Sequence, residues 1–208
     1  MDRKSNILKR FIIYMAILTF VMFTAWAFVK SFMNRPPGDY HTEVCDIRLK
    51  DKKYKQALEA ANEALNKTPN HRGAMMCKAL VFISEKKYFK ADEVLSNLII
   101  FLEKNLEDDD KTGVGTLAAA YANRGIVKDR NKNYEGALQD YVRALGIDHE
   151  AVAGPGLGTI ILNYKFKSSS VRERALYLNE QLQLPEDERI LSIEAVDAGQ
   201  VMHKPGKL

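Results

Sequence analysis

Apolar and polar positions follow two different patterns along this chain. Residues 11–29, FIIYMAILTFVMFTAWAFV, form one apolar run of nineteen residues without a charge. That is close to the roughly 20 residues a helix needs to cross the hydrocarbon core of a bilayer. It offers no polar face to solvent, so a buried globular helix is a poor reading. Beyond Pro36-Pro37-Gly38, which cannot continue a helix, the pattern changes to a recurring motif. Tyr54-x-x-Ala57, Tyr88-x-x-Ala91 and Tyr134-x-x-Ala137 each head a similar stretch. Ala57 and Ala91 are 34 positions apart, and Ala91 and Ala137 are 46 apart, one period plus a 12-residue insertion. A fixed period of this length predicts stacked helical hairpins.

Small and apolar residues recur at fixed offsets inside each unit. Cys45, Ala79 and Gly125 precede the motif alanine by 12 positions, and Ala64, Leu98 and Ala144 follow it by seven. Alternation of large and small residues at constant spacing lets neighbouring helices interlock at native density. The stretch Leu117–Asp148, LAAAYANRGIVKDRNKNYEGALQDYVRALGID, resembles a tetratricopeptide repeat (TPR), and EALNKTPN closes a similar first unit at Pro69. The second unit is more divergent, with Glu103 where proline is common. The resemblance implies an all-α solenoid of about three repeats, near 38–71, 72–105 and 118–151, behind one N-terminal transmembrane helix.

Residues 152–198 read as a degenerate fourth hairpin and cap. The run SSSV at 168–171 offers an N-cap before RERALYLNEQLQL, and Pro185 with its following acids reads as the start of a capping helix. A repeat stack needs such a cap to shield its last apolar face. The final residues, 199–208, read as a disordered tail.

Charge sharpens the first segment and adds little to the second. The chain carries 31 Lys/Arg and 27 Asp/Glu, net +4. Residues 1–30 hold five Lys/Arg and one acid, Asp2, which accounts for the whole excess. The repeat region is balanced and has no electrostatic footprint for nucleic acid. Arg3, Lys4, Lys9 and Arg10 precede the apolar run, and only Lys30 and Arg35 follow closely, so the positive-inside rule predicts a cytoplasmic tail at 1–10, a span at 11–30, a linker at 31–37 and an exported domain at 38–198. In a bacterium the span is an inner-membrane anchor and the domain is periplasmic. A cleaved signal peptide is disfavoured, because the run is long and no Ala-x-Ala site follows it. The opposite topology would give a cytosol-facing receptor on an organelle membrane. A third reading is a structural accessory subunit of a membrane complex, with Tyr14, Thr19, Thr24 and Trp26 offering the span a contact face.

Reactive constellations are absent. His41, His71, His149 and His203 are scattered without a His-x-x-x-His pair, and no nucleophile–base set stands out. Glu107–Asp110 lacks the alternating ligand spacing of a calcium loop, and Gly113-Val114-Gly115 lacks the Gly-Lys-Ser/Thr ending of a phosphate loop. Gly154-Pro155-Gly156-Leu157-Gly158 has no preceding strand and reads as a loop opening a helix. Cys45 and Cys77 fall on adjacent first helices. A disulfide is conceivable in an oxidising compartment, but their repeat positions differ by two residues, which favours two small core residues. No enzyme activity, cofactor or metal is expected.

The resemblance implies a concave protein-binding groove lined by the first helix of each hairpin. Its lining positions fall on Thr42, Asp46 and Leu49, on Met76, Leu80 and Ile83, and on Ala122, Ile126 and Asp129. Asn123-Arg124 resembles part of a carboxylate clamp, but Cys45-Asp46 stands where the first repeat should supply Gly-Asn, and Asp46 would repel a carboxylate. The expected ligand is therefore an apolar helix or an extended peptide of basic or neutral character, supplied by a protein partner of a membrane or envelope complex.

Overall fold

A computed structural model describes residues 2–33, 35–107, 109–148, 152, 170–193, 200 and 202–204. They form two compact units, Met1–Pro37 and Gly38–Leu208. The first is a single 32-residue helix, α1, Asp2–Met33. Its stretch Ile7–Lys30 is long and apolar enough to span a bilayer by length and composition, with none of it buried. The hydroxyls of Thr19 and Thr24 bond to the carbonyls of Met15 and Val21 in the same helix.

In the second unit three antiparallel hairpins follow one another: α2 (Asp39–Lys50) with α3 (Tyr54–Lys67), α4 (Arg72–Ser84) with α5 (Tyr88–Asn105), and α6 (Lys111–Arg130) with α7 (Tyr134–Ile147). Helix α8, Val171–Leu182, packs on α7. No strand occurs among the described residues. Ala57, Ala91 and Ala137 are completely buried. Gly125 lies beside Tyr141, and a Cβ there would come within 2.6 Å of its ring. Close approach of α6 and α7 therefore requires glycine.

The turn inside each hairpin repeats to the residue. Lys52, Lys86 and Lys132 adopt left-handed backbone with φ of 59°, 59° and 63°. The following amide reaches back to the helix: Lys53 to Arg48 O, Lys87 to Phe82 O and Asn133 to Lys128 O, at 2.8–2.9 Å. This six-to-one closure satisfies orphan carbonyls and reverses the chain.

The twelve extra residues between the second and third motifs do not form a long loop. Helix α5 has 18 residues against 14 in α3, and α6 has 20 against 13 in α4. Those eleven, with one more residue in the connection, account for the insertion. Asp110 caps α6, accepting from the Gly113 amide at 2.8 Å. Arg72 pairs with Asp110 and so ties this connection to the start of α4.

The cysteines depart from expectation. Cys45 on α2 and Cys77 on α4 are joined in a disulfide with Cα atoms 6.4 Å apart. The two-residue difference in repeat position therefore does not keep the two residues out of bridging distance.

The C-terminal region departs as well. Ser170 caps α8 with a complete capping box to Glu173, but the helix expected after Pro185 is only a 3-10 turn, Glu186–Glu188. Its backbone is held by side chains instead. Gln181 accepts from the Ile190 amide at 2.7 Å, and Tyr177 and Arg174 donate to the carbonyls of Ile190 and Leu191. The glycine-rich 154–158 stretch and His149 lie outside the described residues, as do 194–199.

Candidate functional site: the groove and its occupant

The ten expected groove residues lie on the first helices α2, α4 and α6, and most are covered. Met76, Leu80, Ile83, Ala122, Asn123, Ile126 and Asp129 are all buried. Leu80 (4 % exposed) and Ile83 (8 %) belong to the apolar core and do not form an open contact patch. Thr42 is half-buried, its hydroxyl bonding Gly38 O at 3.1 Å near the His71 ring. His71 caps α4. Its Nδ1 accepts from the Ala74 amide, which leaves Nε2 to donate to Asp39 at 2.8 Å.

Part of the covering comes from the chain's own end. Gln200 and Met202–Lys204, which fall in the stretch expected to be without structure, are seated on these helices. The remaining tail residues lie outside the described ones. Asn123 holds the backbone of His203 at both polar groups: Nδ2 donates to the His203 carbonyl at 2.6 Å, and Oδ1 accepts from the His203 amide at 2.8 Å. The same Nδ2 lies 3.5 Å from the Met76 sulfur. Lys204 pairs with Asp46 on α2. Met202 packs against the main core. The segment thus crosses from the third repeat to the first.

The other end of the segment rests on a charged centre that sequence reasoning missed. Asp129 receives Arg174 from α8 in a bidentate pair, both contacts at 2.7 Å. Tyr141 donates to Asp129 at 3.2 Å, and Gln200 donates to Asp129 and to the Tyr141 hydroxyl. Burial, then the Asp129 charge, pushes the Tyr141 hydroxyl well above its ordinary pKa, so it remains a donor. His203 is buried and lines a small cavity together with Ile126, Tyr141, Val171, Arg174 and Gln200. Burial pushes its imidazole down to about 4, so it sits there neutral. Asp129 is therefore taken up by Arg174 and does not face an open groove edge. A sequence signal existed in the one arginine of α8 with helical neighbours of apolar type, Val171, Ala175 and Leu178, on the same face.

Arg124, the partner of Asn123 in the clamp-like pair, turns away. It makes a bidentate contact with Asp140 at 2.8 Å and a bond to Ser96. That hydrogen-bonded carboxylate raises its pKa further. The groove therefore has an asparagine that grips backbone, but no arginine beside it to receive a terminal carboxylate. Among the described residues no group of three or more His, Cys, Asp or Glu side chains is placed to hold a metal ion.

The described hairpins and the helix packed on the last of them make an all-α stack. Three solved structures are similar. The TPR domain of OM64 from Arabidopsis is 17% identical, covering 55% of this chain and 84% of that one, with a TM-score of 0.45. The first TPR of Spaghetti (RPAP3), bound to an HSP90 peptide, is 18% identical over 62% and 89%, TM-score 0.45. The Sgt2 TPR domain from Aspergillus fumigatus is 15% identical over 77% and 93%, TM-score 0.47. No family model matches the sequence, and no curated protein does.

Proposed function

We propose that this chain is a membrane-anchored, periplasm-facing scaffold that holds a protein partner in its concave groove while a membrane or envelope complex is assembled or stabilised. The observation that carries this reading is the double hydrogen bond from Asn123 to the backbone of His203. A groove that grips one extended segment by its backbone is chemically equipped for another. Anchoring is supported by Ile7–Lys30, an exposed apolar helix of spanning length. Export is supported by two independent features, the excess of Lys and Arg before that helix and the Cys45–Cys77 disulfide. Disulfides persist in oxidising compartments and are rare in the cytosol, which counts against the cytosol-facing receptor. The third reading, a subunit held through its span, gains little from Thr19 and Thr24, whose hydroxyls are spent on their own helix.

The test is mild crosslinking of the tagged full-length chain in membranes, followed by identification of what it carries. A protein recovered with the wild type and lost with Asn123→Ala supports the scaffold. Equal recovery with both sinks the groove reading. A C-terminal alkaline phosphatase fusion that is inactive would overturn the orientation.

A further inference from the structure

We propose that the groove is a site for an extended peptide that presents an arginine immediately after the residue held by Asn123, and that Met202–Lys204 of this chain are a tethered, replaceable resident of that site. The inference rests on the groove reading above and specifies its ligand.

Three features define the ligand. At the held position the contact is to backbone, so Asn123 asks only for extended conformation and a free amide. The side chain at that position is buried and neutral, as His203 is, and with Ile126, Tyr141 and Val171 it lines a small cavity. At the next position the chain must carry a cation, because Lys204 meets Asp46. Lysine is an incomplete answer to that carboxylate. It engages Asp46 Oδ2, while Oδ1 is buried and meets no hydrogen-bond partner. A buried unpaired carboxylate oxygen is unfavourable, and the planar fork of arginine reaches both oxygens at once. The resident segment is thus a ligand with one contact unmade, and a partner that completes it displaces the tail.

Tethering explains how an imperfect ligand can hold the site. A segment joined by a short linker is present at an effective concentration in the millimolar range. A partner supplied in trans must overcome that occupancy, so binding to the intact chain is weaker than binding to a chain whose tail has been released.

The experiment uses the full chain in detergent and fluorescein-labelled peptides covering residues 198–208. Releasing the tail by Lys204→Asp should let the chain bind the native-sequence peptide at least tenfold more tightly than wild type does, read by anisotropy. Arginine in place of Lys204 in the peptide should tighten binding a further threefold or more. Asp46→Lys should abolish binding of both peptides and restore it for a peptide carrying aspartate at that place. Far-UV circular dichroism unchanged in each variant keeps the comparison within folded protein. Equal binding to wild type and Lys204→Asp overturns the tethered resident, and so does hydrogen exchange at 202–204 without protection. Protection that rises with protein concentration also overturns it, since the tail would then come from a second copy. A lysine peptide as tight as the arginine peptide overturns the proposed ligand. If these arms fail while an Asn123-dependent partner is still recovered from membranes, the scaffold reading survives without this ligand. If the peptides bind as expected and no partner is recovered, the scaffold reading is what falls.

Discussion

The two ends of the repeat stack are fastened by different chemistry. At the N-terminal end a covalent bridge, Cys45–Cys77, joins α2 to α4 in a small cluster of Ala57, Ala60, Ala61 and Val81. At the C-terminal end a buried ion pair, Arg174–Asp129, joins α8 to α6, with Tyr141 and Gln200 closing round it. The bridge is indifferent to pH and salt and depends on redox state. The ion pair is indifferent to reductant and depends on having both partners present. The tail reaches both ends, through Lys204 to Asp46 on α2 and through Gln200 to Asp129, but only at the second does a tail side chain bond to the fastening groups themselves.

The largest effect should come from breaking the ion pair. Arg174 is 1 % exposed and Asp129 6 %. Arg174→Leu leaves Asp129 buried without its partner, and removal of one member of such a pair costs about 3–5 kcal/mol. The chemical-denaturation midpoint of the full chain should fall by that amount, and Asp129→Leu added to Arg174→Leu should recover a substantial part. If the double variant is as unstable as the single, burial of an unpaired charge is the wrong account. Reduction is the matching test of the other junction. Closing a loop across a separation of 32 residues stabilises by about 3–4 kcal/mol in the chain-entropy view. Dithiothreitol, or Cys45→Ser with Cys77→Ser, should lower the midpoint accordingly. Exchange protection should be lost first in α2 and α3 and retained in α6–α8. Loss that begins at α8 would erase the contrast between the ends.

A smaller effect concerns pH at the C-terminal end. His203 is buried and neutral, held down to about 4 from an ordinary 6.5. Around it stand Asn123, Tyr141 and the mutually neutralised Arg174–Asp129 pair, with the Lys204–Asp46 pair next along the segment. The undocked tail takes up a proton near 6.5, and the docked tail resists until about 4. Docking is therefore at full strength above pH 6.5 and weakens as pH falls towards 4, by roughly 30-fold at pH 5. Binding of the 198–208 peptide to the Lys204→Asp chain at pH 7 and pH 5 checks this. A peptide with His203→Gln should lose the pH dependence, and a flat profile for the native peptide would mean the imidazole is not enclosed. The smallest effect should appear in the hairpin turns. Lys86 sits at φ 59°, where a side chain costs about 1–2 kcal/mol and glycine nothing. Lys86→Gly should raise the thermal midpoint by a few degrees, as should Lys52→Gly and Lys132→Gly. A fall at all three would show that the lysine side chains contribute more than their backbone costs.

The all-α hairpin stack was legible because close helix crossings demand small residues, and alanines 34 and 46 apart report them directly. The left-handed lysines were not, since nothing in lysine signals positive φ; the geometry is imposed by the helices on either side. The disulfide was obscured because repeat positions two residues apart do not report the distance between Cα atoms, which is 6.4 Å. Acids and glycines cluster at 107–115 without announcing a helix, yet Asp110 is a helix cap and Gly113 a close contact with Leu106. At the groove, the candidate positions are what the family resemblance implies, but which of them meet core and which meet the tail depends on partners far away in sequence. Asn123 and His203 are 80 residues apart, and a ten-residue tail with no periodicity gives no sign that it will be held.

The disulfide also decides how the domain would bear load. When the chain is pulled between its N-terminal helix and the groove, tension enters at Gly38 and runs along α2. At Cys45 it crosses to Cys77 and continues into α4. The 32-residue span between them, holding α3 and its turns, is taken out of the force path, so about 100 Å of contour length cannot pay out under tension. Under reducing conditions that slack becomes available, and the first hairpin turns from a stiff coupling into an extensible one.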